Sequence, residues 1–222
     1  IIFTCILEII SIKYVYTFLQ NNRNTKLYKK SIIKNLVNNL IIGPSCYTLC
    51  HFIYISKQST IIHDIYTTIG LLSTQSIGYY LIHRAMHTKH LYFIHTFHHQ
   101  YNKHILPITA NAVSYLEYIL AYMLPFVIGI IEFNPSIKSL KISVYIVSFA
   151  NIMIHTPLFI NHSDIYMKFM LTPRDHHKHH MYSNNNFSAP LLNLDRILGS
   201  NYESPRSDTS SKSSWSSTDS LR

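Results

Sequence analysis

Three clusters of histidine constrain the fold of this chain more than any other feature of its sequence. They read HRAMH at His83–His87, HTFHH at His95–His99 and HHKHH at His176–His180, with apolar stretches of membrane length on either side. Residues three and four apart share one face of a helix, so each cluster aligns its imidazoles along a stripe. The spacing predicts three short helical segments that present histidines, with His177 at the edge of its arc.

The number of aligned imidazoles indicates two metal ions. A zinc ion takes about four ligands in a structural site and about three plus water in a catalytic one, so one ion would not use them all. Imidazole also binds iron and copper, so the ligand type alone does not select the metal. Burying several protonatable rings on one face is costly unless a metal or a hydrogen-bond partner satisfies them. The aligned positions are His83, His87, His95, His98, His99, His176, His179 and His180.

The composition favours a membrane protein. Hydrophobic residues make up 47% of the chain and charged residues 13%. Lysine and arginine are scattered between apolar runs and form no stripe with interleaved aromatic residues, so we expect no nucleic-acid partner and interpret them as membrane-flanking charge. The cysteines Cys5, Cys46 and Cys50 have no CxxC spacing and are interpreted as small core residues.

The apolar runs predict an all-α integral membrane helical bundle of about four to five spanning helices. A polar, basic loop is expected after the first run, and its positive charge places it in the cytoplasm. Two later hairpins, the second closed by a short turn that contains Asn134 and Pro135, return the chain to that side, so a histidine-rich di-metal cap should face the cytoplasm. The runs lie at about 1–20, 35–56, 61–82, 113–131 and 142–160, and the loop holds Arg23, Lys26, Lys29, Lys30 and Lys34.

The third cluster carries a helix-start signal. Thr172 can cap the helix, Pro173 suits its first position and Asp175 lies three residues after the cap. The last histidines should therefore lie in the first turns of a helix. After Tyr202 the chain becomes Ser-rich with almost no aliphatic residues, which predicts a disordered cytoplasmic tail.

The order of the clusters, with a membrane hairpin before the third, resembles the fatty acid hydroxylase superfamily, which includes the sterol desaturases. The resemblance covers about residues 61–200 and extends to short motifs around the clusters. Thr172-Pro173 before His176, Asn186-Phe187-Ser188, and Leu194-Asp195-Arg196-Ile197-Leu198-Gly199-Ser200 look like the family's TPxxHxxHH, NYG and WDRxFGT signatures, and His155 in IMIHTP matches a further family histidine.

The chain departs from the family pattern at three places. Ser114-Tyr115-Leu116-Glu117 stands where many relatives carry His-Pro-x-Glu, and it lacks that histidine. Phe187-Ser188 replaces Tyr-Gly, and Leu194 occupies a usual Trp position. The set of metal ligands is nevertheless complete.

The resemblance implies a membrane-bound non-haem di-iron enzyme of the endoplasmic reticulum that hydroxylates or desaturates a lipid, such as a sterol or fatty acyl chain. It would use O2 and electrons from cytochrome b5 or a reductase, and the lipid would enter from the bilayer. The implied iron ligands are the eight aligned histidines and His155, and nearby carboxylates of Glu117, Asp175 and Asp195 would orient ring N–H groups. The implied division of the chain is N-terminal membrane segments at 1–60, a catalytic domain at 61–200 and the tail at 201–222.

Two other functions compete with this interpretation. A non-catalytic membrane protein could retain the metal site for structure or for partner binding. A zinc hydrolase is disfavoured because the sequence has no HExxH motif and no glutamate inside the clusters. Lone histidines such as His51 and His63 are interpreted as hydrogen-bonded core or interface residues, and His162, beyond Pro157 in a polar turn, is not expected to bind metal.

Overall fold

The computed structural model describes residues 1–54, 59–165 and 168–202. Within these ranges the structure consists of helices and the turns and loops that connect them, and it contains no β-strand, which confirms the all-α prediction. The Ser-rich segment after Tyr202 lies outside the described residues. The helices are α1 (Ile2–Ile10), α2 (Ile12–Leu19), α3 (Asn22–Val37), α4 (Gly43–Tyr54), α5 (Ile61–Met86), α6 (Tyr92–His99), α7 (Tyr115–Glu117), α8 (Leu124–Phe133), α9 (Ile137–Ile154), α10 (Pro173–Tyr182) and α11 (Leu194–Leu198).

The first apolar run forms two helices rather than one straight span. α1 and α2 meet at Ser11 with a bend of 80°. Glu8 is an acidic residue within this apolar run, and both of its carboxylate oxygens accept hydrogen bonds. The Tyr28 hydroxyl donates to Oε2 at 2.8 Å, and the Ile108 N–H donates to Oε1 at 2.6 Å. This carboxylate therefore fixes α1 against α3 and the loop that follows α6.

The prediction of a basic loop after the first apolar run is wrong, because Asn22–Val37 forms helix α3. Leu27, Ser31 and Asn35 recur every four residues and form its buried face. Ser31 accepts a hydrogen bond from the Tyr101 hydroxyl at 2.7 Å, and Asn35 Nδ2 donates to the Ile108 carbonyl at 3.0 Å. The buried face is largely polar, which is why hydropathy alone did not reveal the helix.

Two helical segments are long and apolar enough to cross a membrane among the described residues. One is Tyr115–Phe133, where α7 continues through a π-helical turn into α8, and the other is α9. The bent pair of α1 and α2 would make a third span. Two to three spans support a membrane protein, while the expected four to five remain a prediction.

The central packing joins α5 to α8 and α9. A Cβ added at Gly78 would lie 2.7 Å from Cβ of Pro125, so glycine there permits the close approach of α5 and α8. Asn134, in the left-handed conformation with φ 43°, ends α8, and the Ser136 side chain caps α9. The predicted turn between these two helices is therefore present.

The predicted helix start before the third histidine cluster is confirmed. α10 begins at Pro173, and the Thr172 hydroxyl accepts a hydrogen bond from the Asp175 N–H at 3.1 Å. The cap places His176, His179 and His180 on successive turns, and all three are buried. α10 lies at the same end of the bundle as α6 and the C-terminal end of α5.

Candidate metal centre

The fold gathers all nine predicted histidines into two groups. In each group, one possible ligand atom from every residue lies within 4.8 Å of the others. The neighbours His98 and His99 on α6 belong to different groups. The five-histidine group contains His83, His87, His95, His99 and His179, and the four-histidine group contains His98, His155, His176 and His180.

The nitrogen atoms within each group are spaced like ligands around a shared metal ion. Two nitrogen ligands about 2.1 Å from a metal lie about 3.0 Å apart at a right angle and about 3.4 Å apart at the tetrahedral angle. The Nε2 atoms of His83 and His95 are 3.0 Å apart. In the other group, Nε2 of His155 lies 2.9 Å from Nε2 of His176 and 3.5 Å from that of His98.

Backbone carbonyls fix the direction in which several rings point. Nδ1 of His83 lies 2.8 Å from the Phe187 carbonyl, and Nδ1 of His155 lies 2.7 Å from the Asn151 carbonyl. A carbonyl can only accept, so Nδ1 carries the proton and Nε2 holds a bare lone pair. His179 is held in the same way by the Asn185 carbonyl at 2.7 Å. The bare Nε2 atoms face into the groups, where a cation would satisfy them.

Further ring nitrogens in the five-histidine group are buried and have no hydrogen-bond partner. These atoms are Nε2 of His87, His99 and His179. Leaving a buried polar atom unpaired costs free energy, so such atoms call for an explanation. The donor set fits a first-row transition metal, which imidazole binds through a neutral nitrogen.

Burial keeps these imidazoles neutral. Loss of hydration lowers the pKa of His179 and of His155 to about 4 and that of His87 to about 3. Burial, together with the neighbouring His179 and His87, lowers the pKa of His99 to about 2. Neutral rings can accept a metal ion at pH 7 without first releasing a proton.

One of the three expected supporting carboxylates touches a ligand ring directly. Glu117 Oε1 lies 2.6 Å from Nδ1 of the buried His95. Asp195 instead accepts from the backbone N–H of Phe187 at 2.9 Å, so it acts on His83 through the loop whose carbonyl holds that ring. Asp175 accepts from the Thr172 hydroxyl at 2.9 Å and serves the start of α10. The expectation of direct ring contact is therefore wrong for Asp175 and Asp195.

Four other histidines that the sequence offers as alternatives, His51, His63, His162 and His177, lie outside both groups. His177 points away from them, with Nε2 2.8 Å from the Lys103 carbonyl. His162 is exposed on the 3-10 helix Pro157–Ile165. His51 is exposed on α4, and His63 lies at the opposite end of α5 from His83. The nine histidines of the two groups are thus separated from these four, and their role as metal ligands stays a prediction.

The backbone carbonyls that orient the rings were missed by sequence reasoning. Those of Asn151, Asn185 and Phe187 hold one ring each. A carbonyl is common to every residue and gives no sequence signal. The Asn-Phe-Ser motif at 186–188 was the only indication that this loop matters.

An apolar helical bundle that presents two all-histidine groups at one end defines a class of membrane protein whose histidines could hold metal ions. The sequence model of the fatty acid hydroxylase family matches residues 67–200, and the chain belongs to that family. Fatty acid hydroxylase ahd1 of Mycosarcoma maydis is 30% identical over 134 residues, which are 59% of this chain and 32% of the relative. The chain thus spans about a third of the length of that curated relative. No solved structure matches the chain.

Proposed function

We propose that the chain is a membrane-bound non-haem di-iron oxygenase that hydroxylates or desaturates a lipid with O2. The observation that carries this proposal is the pair of adjoining all-imidazole groups. The ring centroids of His99 and His180, one from each group, are 5.0 Å apart, and those of His95 and His98 are 5.2 Å apart. Two ions bound in these groups would be close neighbours that act on one substrate.

Imidazole nitrogen binds zinc and copper as well as iron, so the ligands do not select the metal. The choice of iron therefore rests on membership of the family. Bound iron would supply the oxidant for an unactivated C–H bond, which no side chain provides. The chain's own groups would hold the rings in place. The Phe187 and Asn151 carbonyls fix the tautomers of His83 and His155, and Glu117 orients His95.

A cavity of about 220 Å³ lies close to the four-histidine group. It is our candidate binding site for the reacting part of the lipid. Asn151 lines it and also holds His155. Phe126 and Val147 contribute apolar walls. Gln75 lines it as well, and its buried Oε1 has no hydrogen-bond partner, so the cavity offers an acceptor to a hydroxyl or amide of the lipid.

The proposal includes an electron donor such as cytochrome b5 or a reductase, and a location in the endoplasmic reticulum with the histidine groups facing the cytoplasm. The basic residues of α3 lie at the end of the bundle that holds the histidines, since Asn21–Lys30 borders a cleft shared with His99. The positive-inside rule supports a cytoplasmic position for that end.

The test is a comparison of lipids in cells that express the wild-type chain, the His98→Ala variant or neither. We expect one lipid class to gain an oxygen atom or lose two hydrogens only with the wild type, and the reconstituted protein to consume O2 with that lipid. Bound metal without any lipid change or O2 consumption would instead support the non-catalytic alternative.

A further inference from the structure

We propose that a basic cleft beside His99 is the docking site for an acidic one-electron carrier protein. This inference rests on the proposed oxygenase function, because it names the place where reducing equivalents would enter. It is carried by the position of His99, by the charge of the cleft and by the polarity of its lining.

The cleft lies between the N-terminal half of α3 and the C-terminal end of α6, and its volume is about 580 Å³. Three exposed cations border it, and no carboxylate of the described residues lies within ion-pair distance of them. The lining residues are Asn21, Arg23, Asn24, Lys26, Leu27, Lys30, His99, Gln100 and Asn102.

His99 connects the cleft to the five-histidine group. It is half-buried, whereas His83, His95 and His179 of the same group are fully buried. Its Nε2 is buried without a hydrogen-bond partner, while the residue as a whole lines the cleft. A carrier seated in the cleft would therefore be separated from the centre by one imidazole ring.

Both candidate reactions need electrons from outside the lipid. Hydroxylation takes two electrons from a C–H bond, while O2 takes up four as one oxygen atom enters the lipid and the other leaves as water. Desaturation takes two electrons and two hydrogens from the lipid, and both oxygen atoms leave as water. Each reaction thus consumes two further electrons and two protons, which a one-electron carrier would supply in two encounters.

The charge distribution indicates the chemistry of the carrier. The chain contains no Asp or Glu between Glu8 and Asp64, so α3 carries only positive charge. A positive surface accelerates association with a negative partner and weakens with added salt. We therefore expect a carrier whose electron-transfer face is rich in carboxylates.

The lining favours a protein over insertion into a bilayer. Leu27 is the one aliphatic residue of the lining, and it is buried. An interfacial helix that enters a membrane exposes apolar side chains beside its basic ones. The cleft instead exposes polar side chains such as Gln100 and Asn102, and the exposed apolar residues of α3 (Ile32, Ile33 and Leu36) lie in the other half of that helix, outside the lining.

Matched charge reversals test the docking site. Lys26→Glu/Lys30→Glu changes two cleft residues, and Lys13→Glu/Lys29→Glu makes the same change in net charge at exposed residues that do not line the cleft. The probe is the soluble acidic haem domain of cytochrome b5, and its Kd for the full-length protein in lipid nanodiscs is measured at low and high ionic strength. Binding does not depend on turnover, so this assay judges docking alone.

We expect the cleft variant to bind the haem domain at least about tenfold more weakly than the control variant at low salt, and the difference to vanish at high salt. Equal binding by the two variants would overturn the docking site. Loss of binding to phosphatidylserine vesicles, with haem-domain binding unchanged, would overturn it in favour of a membrane contact. A single turnover tests the oxygenase function separately: the protein is reduced with dithionite, the reductant is removed, and the lipid and O2 are then admitted. Absence of oxidised lipid would refute that function without bearing on docking.

Discussion

At the scale of single residues, the orientation of His155 comes from the helix that precedes it. Its Nδ1 bonds to the Asn151 carbonyl one turn earlier, which directs Nε2 towards His176. The residue is fully buried, whereas His162 is exposed a few residues later. Hydrogen bonding to a carbonyl fixes the tautomer that a metal requires.

Replacing each of these two histidines by alanine should separate a ligand from a bystander. We expect His155→Ala to lose the metal of the four-histidine group and His162→Ala to keep both metals, because only His155 points into a group. Metal content of the purified variants measures this. Equal metal content in the two variants, or a loss of metal confined to His162→Ala, would show that His155 is not a metal ligand.

The contact of Glu117 with His95 gives a second prediction. Glu117→Gln retains an acceptor oxygen but cannot become a carboxylate, so we expect metal affinity of the five-histidine group to fall by about 10–100-fold. Competition with a chelator measures the change. Glu132→Gln, at an exposed position of α8, is the control and should leave affinity unchanged. Equal affinities in the two variants would contradict the supporting role of Glu117.

The nine histidines could be predicted from spacing and resemblance, but their division could not. His98 and His99 are adjacent, and the turn of about 100° per residue sends their rings towards different groups. Which ring joins which group depends on how α6 is rotated against α5 and α10. That rotation is set by tertiary packing, which leaves no local pattern in the sequence.

At the scale of helices, α10 depends on its cap. The Thr172 hydroxyl accepts from the Asp175 N–H at 3.1 Å and donates to the Asp175 carboxylate at 2.9 Å. We expect Thr172→Ala to lower the free energy of unfolding by about 1 kcal/mol, while Thr172→Ser, which keeps the hydroxyl, loses far less. Thermal unfolding of the purified variants measures this, and identical Tm values for alanine and serine would contradict it.

Helix prediction succeeded where the sequence contains a local signal. The Thr-Pro start of α10 and the Asn134 turn depend on a few adjacent residues. Helix prediction failed for α3, because its buried face includes the polar residues Ser31 and Asn35. These side chains are buried because they form hydrogen bonds with Tyr101 and Ile108. Those partners are about seventy positions away in the chain, so the pattern resembles that of a solvated loop.

At the scale of the whole molecule, the metal centre joins distant parts of the chain. Its histidines come from the ends of α5 and α9 and from α6 and α10. A metal that binds the folded chain more tightly than the unfolded chain stabilises the whole arrangement. The two groups would therefore support the fold as well as the chemistry.

The most direct test of the central claim is the metal content of the purified protein by mass spectrometry. We predict about two iron atoms per wild-type chain, and about one in His98→Ala and in His179→Ala, because each variant disrupts one group. About one zinc atom per chain with no detectable iron, or two iron atoms retained in both variants, would contradict the account.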